Sequence, residues 1–254
     1  MDSSLSKENV NPQKPDEKKQ QKTKKQQKTT KKRQPTGTLG PALELAICMY
    51  FKTKYNGNID AILEEQAHEI LPKLENLPTS FIEQKYKHTA SGGNQYDFTG
   101  ENDEHLSAKS TKSGVGKVSP QVIGQPTKKN FCKHFRIDTD DNEQIKNFIV
   151  KNISLLLGEY VSYTFDCPII YYNHKTNRVL LIEIVNNIIW GRYNIEFTHI
   201  LKNKKWNEST SIKIRGTTIG EFQLHGNRNC IKFRWSLEKL LLLFSLNFKV
   251  MRVY

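Results

Sequence analysis

Tyr96-Asp97-Phe98-Thr99-Gly100-Glu101-Asn102-Asp103-Glu104-His105-Leu106-Ser107-Ala108-Lys109 reads as a β-hairpin with an acid on its first strand and a lysine on its second. Folding it about Asn102 sets Asp97 opposite Ser107. Side chains alternate along a strand, so Ser107 and Lys109 share a face. Asp97, Ser107 and Lys109 therefore converge on one small volume. An acid able to hold a divalent cation, beside a lysine able to contact a water, is the chemistry of metal-dependent phosphodiester hydrolysis.

Outward from the hairpin, a flexible basic loop runs from Thr111 to Lys117. Ser119-Pro120-Gln121 then reads as a helix start, with Ser119 as cap and Pro120 at the first position. A longer helix is expected from about Asp141 to Leu157, with apolar residues at Ile145, Phe148, Ile149, Ile153, Leu156 and Leu157. Upstream, Gly40-Pro41 opens a helix that is apolar nearly all round through Phe51, the pattern of a buried helix. Its one charge is Glu44, which either needs a partner or a metal in the core or faces water at the helix entrance. A second helix is expected from Asp60 to Leu74. Ser91-Gly92-Gly93-Asn94 reads as the loop before the hairpin.

The C-terminal third is rich in strands. They are expected over Cys167–Tyr172, Val179–Val185, Ile195–Leu201, Ser211–Arg215, Gly220–His225 and Ile231–Trp235. A last helix follows from Ser236 and a closing strand over Phe248–Tyr254. Helices first, a central hairpin and late strands imply a mixed α/β (α+β) domain, a mixed sheet flanked by helices.

With 254 residues and net charge +13, the chain has room for one sizeable domain. Residues 1–40 carry +7 of that charge, yet the body is basic too, and with ten Tyr and three Trp it suits a polyanion-binding surface. Residues 1–37 hold almost no apolar side chains and are expected to be disordered. Their Lys-rich run from Lys18 to Arg33 suits loose nucleic-acid binding or a nuclear address in a eukaryotic host. The four cysteines, Cys48, Cys132, Cys167 and Cys230, form no CxxC pair, so a structural zinc site is not expected. No secretory signal or membrane-length apolar run is visible, which points to a soluble, intracellular, cytoplasmic protein with reduced thiols.

Asp97 and Ser107-Ala108-Lys109 resemble a variant of the PD-(D/E)XK nuclease signature. Lys117-Val118-Ser119-Pro120-Gln121-Val122-Ile123-Gly124-Gln125-Pro126 resembles segments that follow that signature in type II restriction endonucleases. The resemblance covers mainly residues 38–135. It implies Mg2+ as the only cofactor, cleavage of double-stranded DNA at a short sequence to 5′-phosphate and 3′-hydroxyl ends, and a homodimer in many members. It makes Asp97 the metal-binding aspartate and Lys109 the lysine that orients or activates water. Ser107 departs from the pattern, which has Asp or Glu there, and serine is a poor Mg2+ ligand. An acid recruited from elsewhere would fill the gap: Glu44 first, then Glu104 at the turn. Gln121 resembles a polar residue that some of these nucleases use near the site.

For recognition, Arg215, Gln223, His225, Asn227 and Arg228 are candidate base readers, since Arg pairs with guanine and Asn or Gln with adenine in the major groove. Lys112, Lys117, Lys128 and Lys129 are candidate phosphate contacts. Trp190 and Trp206 serve as stacking surfaces or core anchors. A decayed, non-catalytic DNA-binding module on the same fold, and a repair or recombination nuclease, are the alternatives.

Overall fold

A computed structural model describes residues 38–90 and 94–254. The Lys-rich tail and residues 91–93 of the expected loop lie outside the described residues.

Two sheets and eight α-helices make up the described chain. The first sheet has six strands in the order β1 (Lys87–His88), β2 (Phe98–Thr99), β3 (His105–Thr111), β5 (Ile169–Asn173), β6 (Arg178–Ile184) and β11 (Phe248–Arg252). It is mixed: β3 and β5 run parallel and the other neighbours antiparallel. The second sheet is antiparallel, in the order β4 (Lys117–Val118), β10 (Ile231–Ser236), β9 (Thr217–Leu224), β8 (Ser209–Ile214) and β7 (Ile195–Phe197). The expected mixed α+β architecture holds, with the strands divided between two sheets.

Helix α1 (Leu39–Phe51) is as buried as its composition demands, with Leu43, Ala46 and Ile47 fully covered. It packs with α2 (Ala61–Ile70) on the face of the first sheet that carries Leu106, Ala108, Ile170 and Tyr172. Asp60 caps α2 by accepting the Leu63 N–H at 2.8 Å, and a 3-10 turn, Leu71–Leu74, continues it. The short α3 (Thr79–Glu83) leads into β1.

The opposite face of that sheet, through Ile169, Tyr171 and Ile182, joins a second core. There α4 (Lys128–Phe135), α5 (Asn142–Lys151), α6 (Ile153–Thr164) and α8 (Leu237–Leu243) meet the apolar face of the second sheet. Tyr160 stacks on Phe233 at 4.2 Å, and Trp235 Nε1 donates to Thr164 Oγ1 at 2.9 Å, so the indole is buried without stranding its N–H. Each such fully buried side chain contributes about 1.5–3 kcal/mol. Trp190 and Trp206 are core anchors, 5% and 4% exposed. No described helix is long and apolar enough to cross a membrane.

Three expected elements differ. Ser119 and Pro120 are irregular and residues 121–124 form turns, in place of the expected helix. The Gln121 N–H goes to the Tyr163 carbonyl, and the carbonyls of Gly124 and Pro126 accept from Phe233 and Ile231 of β10. The segment's backbone groups are thus taken by a strand edge, which a helix could not satisfy. Val122 adopts φ 50° there, and a Cβ on Gly124 would collide with the Pro120 carbonyl. The expected helix Asp141–Leu157 divides at Asn152, whose side-chain amide donates to the Phe148 carbonyl at 3.0 Å and ends α5. The strand expected to reach Leu201 stops at Phe197, and α7 (Thr198–Leu201) follows, with Thr198 Oγ1 donating to the Ser211 carbonyl.

Candidate active site

The hairpin pairs Phe98 with Leu106 and Thr99 with His105. Continuing that register sets Asp97 beside Ser107. Beyond the end of β2 the Asp97 side chain takes over the role of a ladder partner: its Oδ2 accepts the Ala108 backbone N–H at 2.7 Å. Lys109 Nζ lies 3.6 Å from the same oxygen, the two side chains being 15% and 17% exposed. An ion pair this shielded, fixed through a backbone bond at one end, is better ordered than a surface pair.

Ser107 is fully buried. Its Oγ accepts from Gln121 Nε2 at 2.7 Å and from Cys167 Sγ at 3.5 Å. Two donors occupy both lone pairs of a hydroxyl, which leaves none for a cation. Burial pushes the Cys167 thiol up to about 12, against the Ser107 hydrogen bond that lowers it, so it stays a neutral donor. Ser107 is therefore the post that ties Gln121 and β5 to the strand carrying Lys109. Asp97, Ser107, Lys109 and Gln121 are brought together.

The two acids considered for the empty carboxylate position have other partners. Glu44 sits on α1, against the face of β3 that bears Leu106 and Ala108, whereas Ser107 and Lys109 alternate to the other face. Its Oε2 lies 3.2 Å from Nε2 of the buried His88. Glu104 closes the hairpin turn by accepting the Asn102 N–H at 3.1 Å and its side-chain amide at 3.2 Å. A hydrogen bond from its own backbone N–H, and then those from Asn102, hold its carboxyl below the usual range. Asp166 was missed by the sequence reading. It accepts from Gln95 Nε2, and its charge, with those of Lys109 and Asp97, reaches Cys167. Only the parallel pairing of β5 with β3, which local periodicity does not disclose, brings it to this end of the hairpin.

Among the described residues no group of three or more His, Cys, Asp and Glu forms a preassembled metal site. Magnesium commonly takes one or two carboxylates and completes its shell with water and substrate phosphates. Asp97, pinned through Oδ2, fits that mode as a single protein ligand with Oδ1 as the second oxygen.

The proposed DNA contacts scatter. Arg215 occupies a two-residue turn between β8 and β9 with Gly216, both at positive φ (49° and 75°), as a type I′ hairpin requires. His225, Asn227 and Arg228 lie past the other end of β9, and His225 Nδ1 is 3.0 Å from Glu208 Oε2. Lys117 and Gln223 both donate to the Glu221 carboxylate. Lys128 and Lys129, at the start of α4, line a cavity of about 600 Å³ with Asn229, so α4 borders the β9–β10 turn. Lys112 is half-buried in the bend after β3. The sequence reading missed Lys232 and Arg234, which face the same side as Glu221.

No protein-family model matches the chain, and no solved structure matches it. Over 216 residues it is 44% identical to the type II restriction enzyme CviAII of Paramecium bursaria Chlorella virus 1, an alignment covering 85% of this chain. The chain spans 62% of the length of that relative.

Proposed function

Starting from this kinship with a type II restriction enzyme, we propose that the chain is a restriction-type endonuclease hydrolysing phosphodiester bonds at a short sequence in double-stranded DNA. The observation that carries the reading is the convergence of Asp97 and Lys109 on one strand-anchored point, with Gln121 held beside them by Ser107. Residues 38–254 act as one nuclease domain of the PD-(D/E)XK kind, with the second sheet facing the DNA.

In this reading Asp97 would hold Mg2+, and Asp166, whose charge acts with that of Asp97 on Cys167, is the candidate for a second carboxylate. Bound there, the ion would supply Lewis-acid polarisation of the scissile phosphate. The Ala108 N–H fixes the Asp97 carboxylate, so no reorganisation is needed as charge develops. Lys109 orients the attacking water and stabilises the negative charge that builds on the phosphate oxygens. As the water oxygen bonds to phosphorus and loses its proton to solvent, the P–O3′ bond breaks and O3′ takes a proton from solvent, leaving 5′-phosphate and 3′-hydroxyl ends. Gln121 contributes a carboxamide oxygen at the site while its amide is spent on Ser107.

Incubating plasmid DNA with the full chain, with and without Mg2+, and sequencing the product ends tests activity, specificity and end chemistry together. Discrete fragments with a common end sequence, lost with EDTA and in Asp97→Ala and Lys109→Ala, support the reading. The saturated Ser107 hydroxyl favours one rival, a DNA-binding module without catalysis. That module would retard DNA and cut nothing.

A further inference from the structure

Strand β10 alternates Ile231-Lys232-Phe233-Arg234-Trp235, and Ile231, Phe233 and Trp235 are 1%, 0% and 0% exposed. Lys232 and Arg234 therefore project from the opposite, outward face of the second sheet. Register places Arg234 across from Glu221 and Lys232 across from Gln223, and Ser211 and Ser209 of β8 extend the two rows. Lys117 approaches from β4 on the other side.

One carboxylate organises this face. Glu221 accepts from Lys117 Nζ, from Gln223 Nε2 and, at 3.1 Å, from Arg234 Nη2. Burial raises its pKa, but the bonds and charges of Lys117 and Arg234 outweigh that and hold it below the usual carboxylate range. Lys232 is lowered by burial and then by the charges of Arg234 and Arg228. Lys117 and Arg234 thus share one acid, and Lys232 stands in the field of Arg234 and Arg228. Such like-charge crowding is relieved when a polyanion binds.

The two outward cations on β10 differ in kind. Arg234 is anchored through Nη2, and its Nε is buried with no hydrogen-bond partner among the described residues, while the side chain as a whole is 25% exposed. A guanidinium held at one edge on a rigid strand presents the donors of its outer end in a fixed direction, which suits bidentate recognition of guanine. Lys232 is a flexible point charge, suited to a phosphate.

We propose that the outward face of the second sheet reads the duplex, with Arg234 a specificity-determining residue, Glu221 the residue that positions it, and Lys232 a phosphate contact. The inference rests on the endonuclease reading above.

The test uses the full chain and the sequence that the wild type itself cuts, together with duplexes in which single base pairs are replaced. The readout is kcat/KM for each duplex across a salt series. Arg234→Ala should lose roughly 10- to 100-fold of the preference at one base pair and little at the others. Lys232→Ala should weaken every duplex by a similar factor and lower the salt slope by about one. Glu221→Gln, nearly isosteric, should relax the same base pair as Arg234→Ala while strengthening binding to unrelated duplex, a sign that structural damage would not give. If Arg234→Ala fails to fold, Arg234→Lys keeps the charge without the fork and should relax the same position.

Uniform weakening by the Arg234 variants would assign Arg234 to a phosphate and overturn its role in specificity. Unchanged kcat/KM in Lys232→Ala would overturn the surface itself. A wild-type chain that cuts no duplex under any of these conditions would instead remove the endonuclease reading on which the inference stands.

Discussion

Lys109 Nζ lies 3.6 Å from Asp97 Oδ2, and that same oxygen accepts the Ala108 N–H at 2.7 Å. The carboxylate therefore stays anchored when the lysine is removed. Lys109→Met should lower the cleavage rate on the order of 10²- to 10³-fold, the loss typical of one electrostatic stabiliser. It should cost only about 1 kcal/mol in urea unfolding. Wild-type cleavage by this variant would place the chemistry elsewhere.

Asp97→Asn keeps an oxygen for the Ala108 N–H but loses the charge. Its expected signature is a near-native thermal transition with cleavage abolished at every Mg2+ concentration. Partial rescue by more metal would mean that another carboxylate carries most of the binding, and Asp166→Asn is then the variant to compare.

Ser107→Ala removes the common acceptor of Gln121 and Cys167. A buried donor left unmet costs about 1–3 kcal/mol. Urea titrations of Ser107→Ala, Gln121→Ala and the double variant should show that the two losses do not add, because they break one hydrogen bond. Strict additivity would mean that the Gln121–Ser107 bond contributes nothing.

Tyr160 is fully buried, burial drives its pKa above the ordinary phenol value, and its hydroxyl has no hydrogen-bond partner among the described residues. The ring is held by stacking on Phe233. Tyr160→Phe should be neutral or stabilising by about 1 kcal/mol. A loss above about 1 kcal/mol would show that the hydroxyl is satisfied in solution.

The lowered pKa of Glu221 makes stability depend on acid. A carboxyl depressed on folding contributes stability above its unfolded value, and that contribution fades as pH falls through the folded value. Acid unfolding of the wild type below the reference value of 4.5 should therefore be steeper than that of Glu221→Gln. Parallel curves would show that the Lys117 and Arg234 contacts do not distinguish the ionised carboxylate.

Much of the fold is legible from local pattern. The alternation at Ile231–Trp235, the apolar run of α1 and the hairpin register about Asn102 all hold. What local pattern does not disclose is long-range capture of backbone groups. Pro120 and Ser119 carry good helix-start chemistry, but β10 offers partners to that segment that no helix supplies. The site divides the same way. The hairpin fixes Asp97, Ser107 and Lys109 through spacing alone. The neighbours of Ser107 and the approach of Asp166 depend on β5, which arrives from far along the chain. Glu44 looked available because a lone charge on a buried helix needs company, and the residue that provides it, His88, lies on a two-residue strand with no pattern of its own.

The parallel neighbours β3 and β5 are separated in sequence by β4 and three helices. During synthesis, the strand bearing Lys109 leaves the ribosome long before Ile169 and Tyr171 exist to lie beside it. Closing so long a loop makes this pairing slow, as distant contacts generally are. A nascent chain that has not yet reached β5 lacks the strand that lies beside Lys109, so the hydrolysis proposed for this site would wait on a pairing made well after the hairpin itself can form.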